Sequence, residues 1–222
     1  MTRIKICGIK TLPEALAALE AGADLLGFNF YPKSPRFITP ETCAKITTAL
    51  FNQWSASGDK KNILLVGVFV NAPVSEIRAT LMTTGLHLAQ LHGDEPPEVL
   101  DELGPLAFKA VRLSSNQDSA ALIQQYSRPT TADVPALLID AAVPGLYGGS
   151  GQIADWNTAA QLAKQTPLLL AGGLTPENVA EAIRLVRPWG VDVASGVESA
   201  PGVKDLARIK KFIEQVHRAD TI

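Results

Sequence analysis

The chain has 222 residues, 46% of them hydrophobic and 19% charged, with 17 Gly and 15 Pro; this is the balance of a globular enzyme, long enough to bury one substantial core. Its formal charge of −2 comes from 20 basic and 22 acidic residues, with no basic run beyond Lys60-Lys61 and Lys210-Lys211, so nucleic acid is not an expected partner. No segment offers the roughly 18 apolar residues of a membrane helix, and the opening MTRIKICGIK lacks a signal-peptide run, so no membrane association and a cytoplasmic location are expected.

Short apolar runs rich in β-branched residues alternate with longer stretches of helical period, the pattern of parallel strands joined by crossover helices. In chain order the expected strands are Arg3–Cys7, Leu25–Phe30, Ile63–Val70, His87–Leu91, Ala107–Arg112, Ala136–Ile139, Leu168–Ala171 and Val191–Ala194. The helices between them carry starting signals: Thr11-Leu-Pro-Glu14, Thr39-Pro40-Glu41 and Thr175-Pro176-Glu177 each place a capping hydroxyl before Pro and Glu. The first helix, over Glu14–Ala21, is expected to stop at Gly22. Asn52–Asn62 reads as a surface turn, and Leu113–Pro135 as helix plus turn. Eight strand–helix units in one chain suit either an open doubly wound sheet or a closed barrel. The first strand runs into Cys7-Gly8-Ile9-Lys10 rather than a G-x-G-x-x-G, and the loops are short. Both points favour a single-domain (β/α)8 TIM barrel over residues 1–222.

In such a barrel the chemistry gathers at the carboxyl ends of the strands. Those ends deliver Cys7, Asn29 with Arg36 in its loop, Asn71, Gln90 with His92, Arg112, Asp140, Gly172-Gly173 and Ser195-Gly196. The last two pairs fall where barrels often build a phosphate site from the seventh and eighth loops and a short extra helix, expected here from Ser195-Gly196-Val197-Glu198. Glycines also make plain tight turns, but both pairs at the two expected units argue for phosphate. Cys7 and Cys43 are too few for a disulfide framework or a four-ligand zinc site, so no metal is expected. Cys43, inside a helix, reads as a small buried hydrophobe; Cys7, at a strand end before Gly8, does not.

Several blocks together resemble the phosphoribosylanthranilate isomerase family: Lys5-Ile-Cys-Gly-Ile9, Gly27-Phe-Asn-Phe-Tyr-Pro-Lys-Ser-Pro-Arg36, Val66-Gly-Val-Phe-Val-Asn71, Gln90-Leu-His-Gly93, Leu138-Ile-Asp140, Gly148-Gly-Ser-Gly151, Ala171-Gly-Gly-Leu174 and Val191-Asp-Val-Ala-Ser-Gly-Val-Glu198. They occur in order, from Lys5 to beyond Glu198. Asn29 between Phe28 and Phe30, and Ala194 before Ser195, depart from the pattern without removing a polar group the reaction needs.

The resemblance implies an Amadori rearrangement in tryptophan biosynthesis, without cofactor, on a small phosphoribosyl substrate. It implies Asp140 as general acid, Cys7 as general base, and substrate contacts at Arg36, Gly172, Gly173, Asp192, Ser195 and Gly196. At reference pKa values roughly 0.1% of Asp is protonated and roughly 3% of Cys ionised at pH 7, so both fractions are unfavourable. Partial burial is therefore expected to raise the Asp140 pKa, and nearby amide dipoles or cations to favour the Cys7 thiolate. Without the resemblance, Asp140 reads as a cap or turn former and Arg36 as a solvated arginine; with it, Arg36 is expected to grip the anthranilate carboxylate in bidentate fashion. His92 reads as a satisfied rim histidine, Arg112 stays open, and His87 and His217 read as structural or exposed. The rivals are an epimerase or a thiamine phosphate synthase-like barrel, and a noncatalytic phosphate-binding barrel. Size favours a monomer or weak homodimer.

Overall fold

The computed structural model describes residues 1–57, 63–113, 119–128, 130–131, 133–141 and 155–221. Eight parallel strands close into a barrel in chain order: β1 (Arg3–Cys7), β2 (Leu25–Asn29), β3 (Leu64–Phe69), β4 (Leu88–Leu91), β5 (Ala107–Leu113), β6 (Leu137–Ala141), β7 (Leu168–Leu170) and β8 (Gly190–Val193). The seam is a parallel β1–β8 pairing that sets Lys5 against Asp192. Helices α1 (Leu12–Ala21), α2 (Pro40–Ser57), α3 (Val74–Thr84), α4 (Pro97–Leu103), α5 (Ser119–Tyr126), α6 (Trp156–Ala163), α7 (Val179–Val186) and α8 (Leu206–Asp220) alternate with the strands. Every expected strand coincides with an observed one to within 2 residues at either end.

Local signals act as their chemistry dictates. Thr11 and Glu14 form a reciprocal capping box on α1, and Gly22 closes that helix in the left-handed region at φ 116°. Thr39 accepts from the Thr42 amide at the start of α2. Asp205 caps α8 by accepting from the Ala207 and Arg208 amides. Two expectations need correction. Residues 52–57 belong to α2, because the helical run continues through Ser57, and not to the surface turn read over Asn52–Asn62, whose remainder from 58 to 62 lies outside the described residues. The short helix expected after β8 is a single 3-10 turn, Ser195–Val197, that leads into a two-stranded hairpin, β9 (Glu198–Ala200) with β10 (Val203–Lys204). Glu198 therefore starts a strand, which sends its side chain down among cations. The Gly148–Gly151 block and most of the Asp140–Gly148 loop lie outside the described residues.

Strand alternation sorts the side chains into two sets. One set faces the helices: Ile4 and Ile6, Leu137 and Ile139, and Val191 and Val193 pack with the inner faces of α7 and α8, including Val179, Ile183, Phe212 and Ile213. The other fills the barrel interior, where Leu25, Val66, Leu88, Phe108, Ala110, Leu138, Leu169 and Ala171 form a separate cluster. Each large aliphatic or aromatic side chain withdrawn from water in this way contributes about 1.5–3 kcal/mol. This interior plug closes the barrel below the site, so a ligand enters from the carboxyl-terminal rim.

Candidate active site

Above the plug the interior positions turn polar, and they line one cleft of about 630 Å³, partly open to solvent. Its walls include Cys7, Asn29, Arg36, Gln90, His92, Asp140, Gly172, Gly173, Asp192 and Ser195. Cys7 and Asp140, on strands β1 and β6, thus share a single cavity. The same alternation that brings Cys7 inward brings Lys5 inward one layer lower, where it is 0% exposed. Its Nζ stands 2.8 Å from Asp192 Oδ1.

Lys5 and Cys7 converge over Gly27 of β2. A methyl group there would lie 2.8 Å from Cys7 Sγ and 3.0 Å from Lys5 Nζ, so the absence of a side chain at 27 is what lets thiol and ammonium approach. Burial discourages the Lys5 charge, but Asp192 and Cys7 outweigh it and raise its pKa, keeping it cationic. For Cys7 burial is the largest influence and pushes the thiol up; Lys5 and Lys204 oppose it, while Asp192 adds to it. The cations expected beside Cys7 are present, but the expected net preference for thiolate is corrected: desolvation wins. Cys43 is 0% exposed, and burial drives its thiol up to about 12, as befits a structural residue.

Across the cleft, Asp140 is buried, and its Oδ2 lies 3.1 Å from His92 Nε2. His92 Nδ1 lies 2.7 Å from Gln90 Nε2. The reading of His92 as a satisfied histidine holds, with the carboxylate of the candidate acid as one of its partners. The wall behind it is stiffened by a buried pair: Lys109 Nζ reaches Glu95 Oε2 at 2.6 Å and Gly93 O at 2.7 Å, and Glu95 accepts from the Asn71 and Gly93 amides. Arg112 leaves the rim to pair with Asp94.

The glycine turns lie on the remaining side. Gly172 and Gly173 have φ of 84° and 64°, a left-handed pair that favours glycine. Asn178 holds the turn from beneath, donating Nδ2–H to Gly173 O and accepting from the Thr175 amide. The next loop packs on top: a Cβ at Gly196 would sit 1.9 Å from Leu174 O, so loops seven and eight fit together only with glycine at 196.

Arg36 reaches the cleft from the loop after β2 but is 8% exposed and already engaged. Its Nε and Nη2 donate to the two oxygens of Glu198, each at 2.8 Å. Glu198 also accepts from Lys204 Nζ at 2.8 Å and from the Gly202 amide at 3.1 Å. Burial works to raise the Glu198 pKa, but Arg36 and Lys204 prevail and lower it; burial lowers that of Lys204.

The description matching this chain over residues 4–215 is that of N-(5'-phosphoribosyl)anthranilate (PRA) isomerase. The chain belongs to this family. Its PRA isomerase relatives include a Roseiflexus sp. protein, 48% identical over 220 residues covering 99% of each chain. The Myxococcus xanthus PRA isomerase is 47% identical over 212 residues, covering 95% of this chain and 94% of its own. Among solved structures, phosphoribosyl anthranilate isomerase from Thermotoga maritima superposes with a TM-score of 0.83 at 38% identity, covering 100% of both chains. A PRA isomerase solved with reduced 1-(o-carboxyphenylamino)-1-deoxyribulose 5-phosphate gives 0.80 at 37% identity, again covering 100% of both chains.

The PRA isomerase fold thus brings Cys7, Asp140, Arg36, Gly172, Gly173, Asp192 and Ser195 to one cleft, with Gly196 packed directly behind. The bidentate face that Arg36 was expected to offer a carboxylate is occupied by Glu198. Sequence reasoning missed Lys5, Glu198 and Lys204. For Lys5 a signal was available, since residues two apart on a strand share a face and Cys7 had already been placed inward.

Proposed function

We propose that this chain, as one domain over residues 1–222, converts N-(5'-phosphoribosyl)anthranilate to 1-(2-carboxyphenylamino)-1-deoxyribulose 5-phosphate in the cytoplasm, as a step of tryptophan biosynthesis. The observation that carries the residue assignments is the opening of Cys7 and Asp140 into the same cleft as the Gly172-Gly173 turn and Ser195. Main-chain amides of those turns hold the phosphate, and Arg36 meets the anthranilate carboxylate through the edge of its guanidinium that Glu198 leaves over.

Asp140 gives its proton to the furanose oxygen. The C1–O bond breaks as the anthranilate nitrogen lone pair forms a C1=N iminium. The Cys7 thiolate then takes the proton from C2, and the electron pair of that C–H bond neutralises the iminium, leaving an enolamine that tautomerises to the ketone. Lys5, cationic beneath Cys7, favours the thiolate against the burial that opposes it. Asp192 takes its place by holding Lys5.

The test follows loss of phosphoribosylanthranilate fluorescence. Cys7→Ser and Asp140→Asn should each lower kcat by about 10²–10⁴-fold. Wild-type turnover in either variant refutes the assignment of that residue.

A further inference from the structure

The reaction assigns Lys204 no task, yet its side chain is 0% exposed, a costly place for a cation. Strand β10 carries it, and its Nζ donates to two acceptors: Glu198 Oε1 at 2.8 Å and the carbonyl oxygen of Ala194 at 2.9 Å. Glu198 accounts for the charge. It does not account for the second bond, which falls on the residue between the end of β8 and the Ser195–Val197 turn.

The backbone there changes course. At Ala194 ψ is −78°, against about +115° along a parallel strand. The peptide joining residues 194 and 195 is therefore turned nearly right over from the course that β8 was following. A trans peptide is planar, with its C=O and N–H pointing in opposite directions, and the described backbone has no cis bond. Ala194 and Ser195 line the cleft, whereas Lys204 stands outside its lining. Holding the Ala194 carbonyl on the Lys204 side thus sends the Ser195 N–H the other way, toward the cleft. That amide has no acceptor among the described residues. The next residue, Gly196, is packed against loop seven, where a Cβ would meet Leu174 O at 1.9 Å, so the turn is fixed from both sides.

We infer that Lys204 is a positioning residue for the phosphate grip: by holding the Ala194 carbonyl it keeps the 194–195 peptide turned so that the Ser195 amide is presented to a phosphoryl oxygen of the substrate. A charged donor suits the task, because its hydrogen bond to a carbonyl is stronger than that of a neutral group. Glu198 fixes the lysine in turn, and Arg36 and the Gly202 amide fix Glu198. With the peptide already turned, binding does not have to supply the free energy of ordering it. The inference rests on the reading of main-chain amides after β8 as part of the phosphate site.

The experiment titrates inorganic phosphate, at constant ionic strength, into the full chain labelled with ¹⁵N-serine, and a Ser195→Ala variant assigns the relevant ¹H–¹⁵N signal. Phosphate should move the Ser195 amide proton downfield, as a hydrogen bond to an anion does. In Lys204→Met that movement should vanish and phosphate should bind about tenfold more weakly. Because this variant strands Glu198, a Lys204→Met/Glu198→Gln double variant accompanies it; the double variant should regain melting temperature while affinity and downfield movement stay lost. Glu198→Gln alone, whose side chain still accepts from Lys204, should keep most of the movement. A Lys204→Met protein that binds phosphate more weakly but keeps the downfield movement overturns the inference, since the lysine would then act by charge alone. Wild-type affinity in both Met variants overturns it as well. If phosphate binds the wild-type chain without moving the Ser195 amide, or does not bind, the parent reading of the phosphate site fails instead.

Discussion

Replacing Lys5 by Met removes the ammonium beneath Cys7 while keeping a flexible side chain of similar reach, and it should move the thiol further from ionisation. Two unit charges roughly 4 Å apart interact by about 4 kcal/mol at an effective dielectric constant near 20, and about 1.4 kcal/mol corresponds to one pKa unit. The upper bound for losing Lys5 is therefore about three units. Asp192, held 2.8 Å from the same ammonium, keeps its charge when Lys5 is lost, so it does not diminish the effect, and the thiol should move further from ionisation. The assay is the pH dependence of alkylation by iodoacetamide, in which the thiolate is the reacting form. Cys43, fully buried and with its thiol up to about 12, should stay silent, leaving Cys7 as the reporter. Because a more basic thiolate is also more nucleophilic, with a Brønsted slope of about 0.4–0.5, the midpoint of the curve is the quantity to read rather than the rate at one pH. A Lys5→Met/Asp192→Asn double variant removes both charges and should give a smaller rise. A midpoint that stays in place or falls in Lys5→Met, with the fold intact by circular dichroism, refutes the electrostatic account of Cys7.

Arg36→Met should raise KM in the fluorescence assay and also lower the melting temperature, since it strands Glu198 beside Lys204; breaking a buried pair by deleting one partner typically costs about 3–5 kcal/mol. The two losses should appear together, and an unchanged melting temperature would contradict the Arg36–Glu198 pairing. Glu198→Gln should destabilise in a pH-dependent way. The folded-state pKa of Glu198 is lowered, so its contribution is fully present above the unfolded value of about 4.3 and is lost as pH falls through the folded value. Melting curves of wild type and Glu198→Gln should therefore differ most near neutrality and converge in acid; a constant gap would show that the charge is not what stabilises.

The barrel was legible because each of its strands is an apolar run whose length and flanking turns can be read locally, and because eight such runs in so short a chain leave few arrangements. Cys7 was legible because it ends a strand, where a barrel opens, whereas Asp140, which by itself reads as a cap or turn former, was marked out by the family resemblance. Lys5, Glu198 and Lys204 were harder to see because their roles depend on pairing across the chain. Lys5 meets Asp192 only through the seam that joins first strand to last. Glu198 meets Arg36 only because the chain turns into a hairpin where residue types suggested a helix. The misjudged Cys7 environment has a similar origin, since desolvation depends on how closely everything else is packed, and no local motif reports that.

Glu198 also limits how the substrate preference of this barrel could change. In the proposed reading, one carboxylate ties the Arg36 loop, assigned to the aromatic end of the ligand, to the hairpin following the turn assigned to its phosphate end. A protein engineer who exchanges Arg36 to admit a different ring would disturb the grip on the opposite end as well. New specificities are more accessible if positions 36, 198 and 204 are randomised as a set than if the arginine is varied alone.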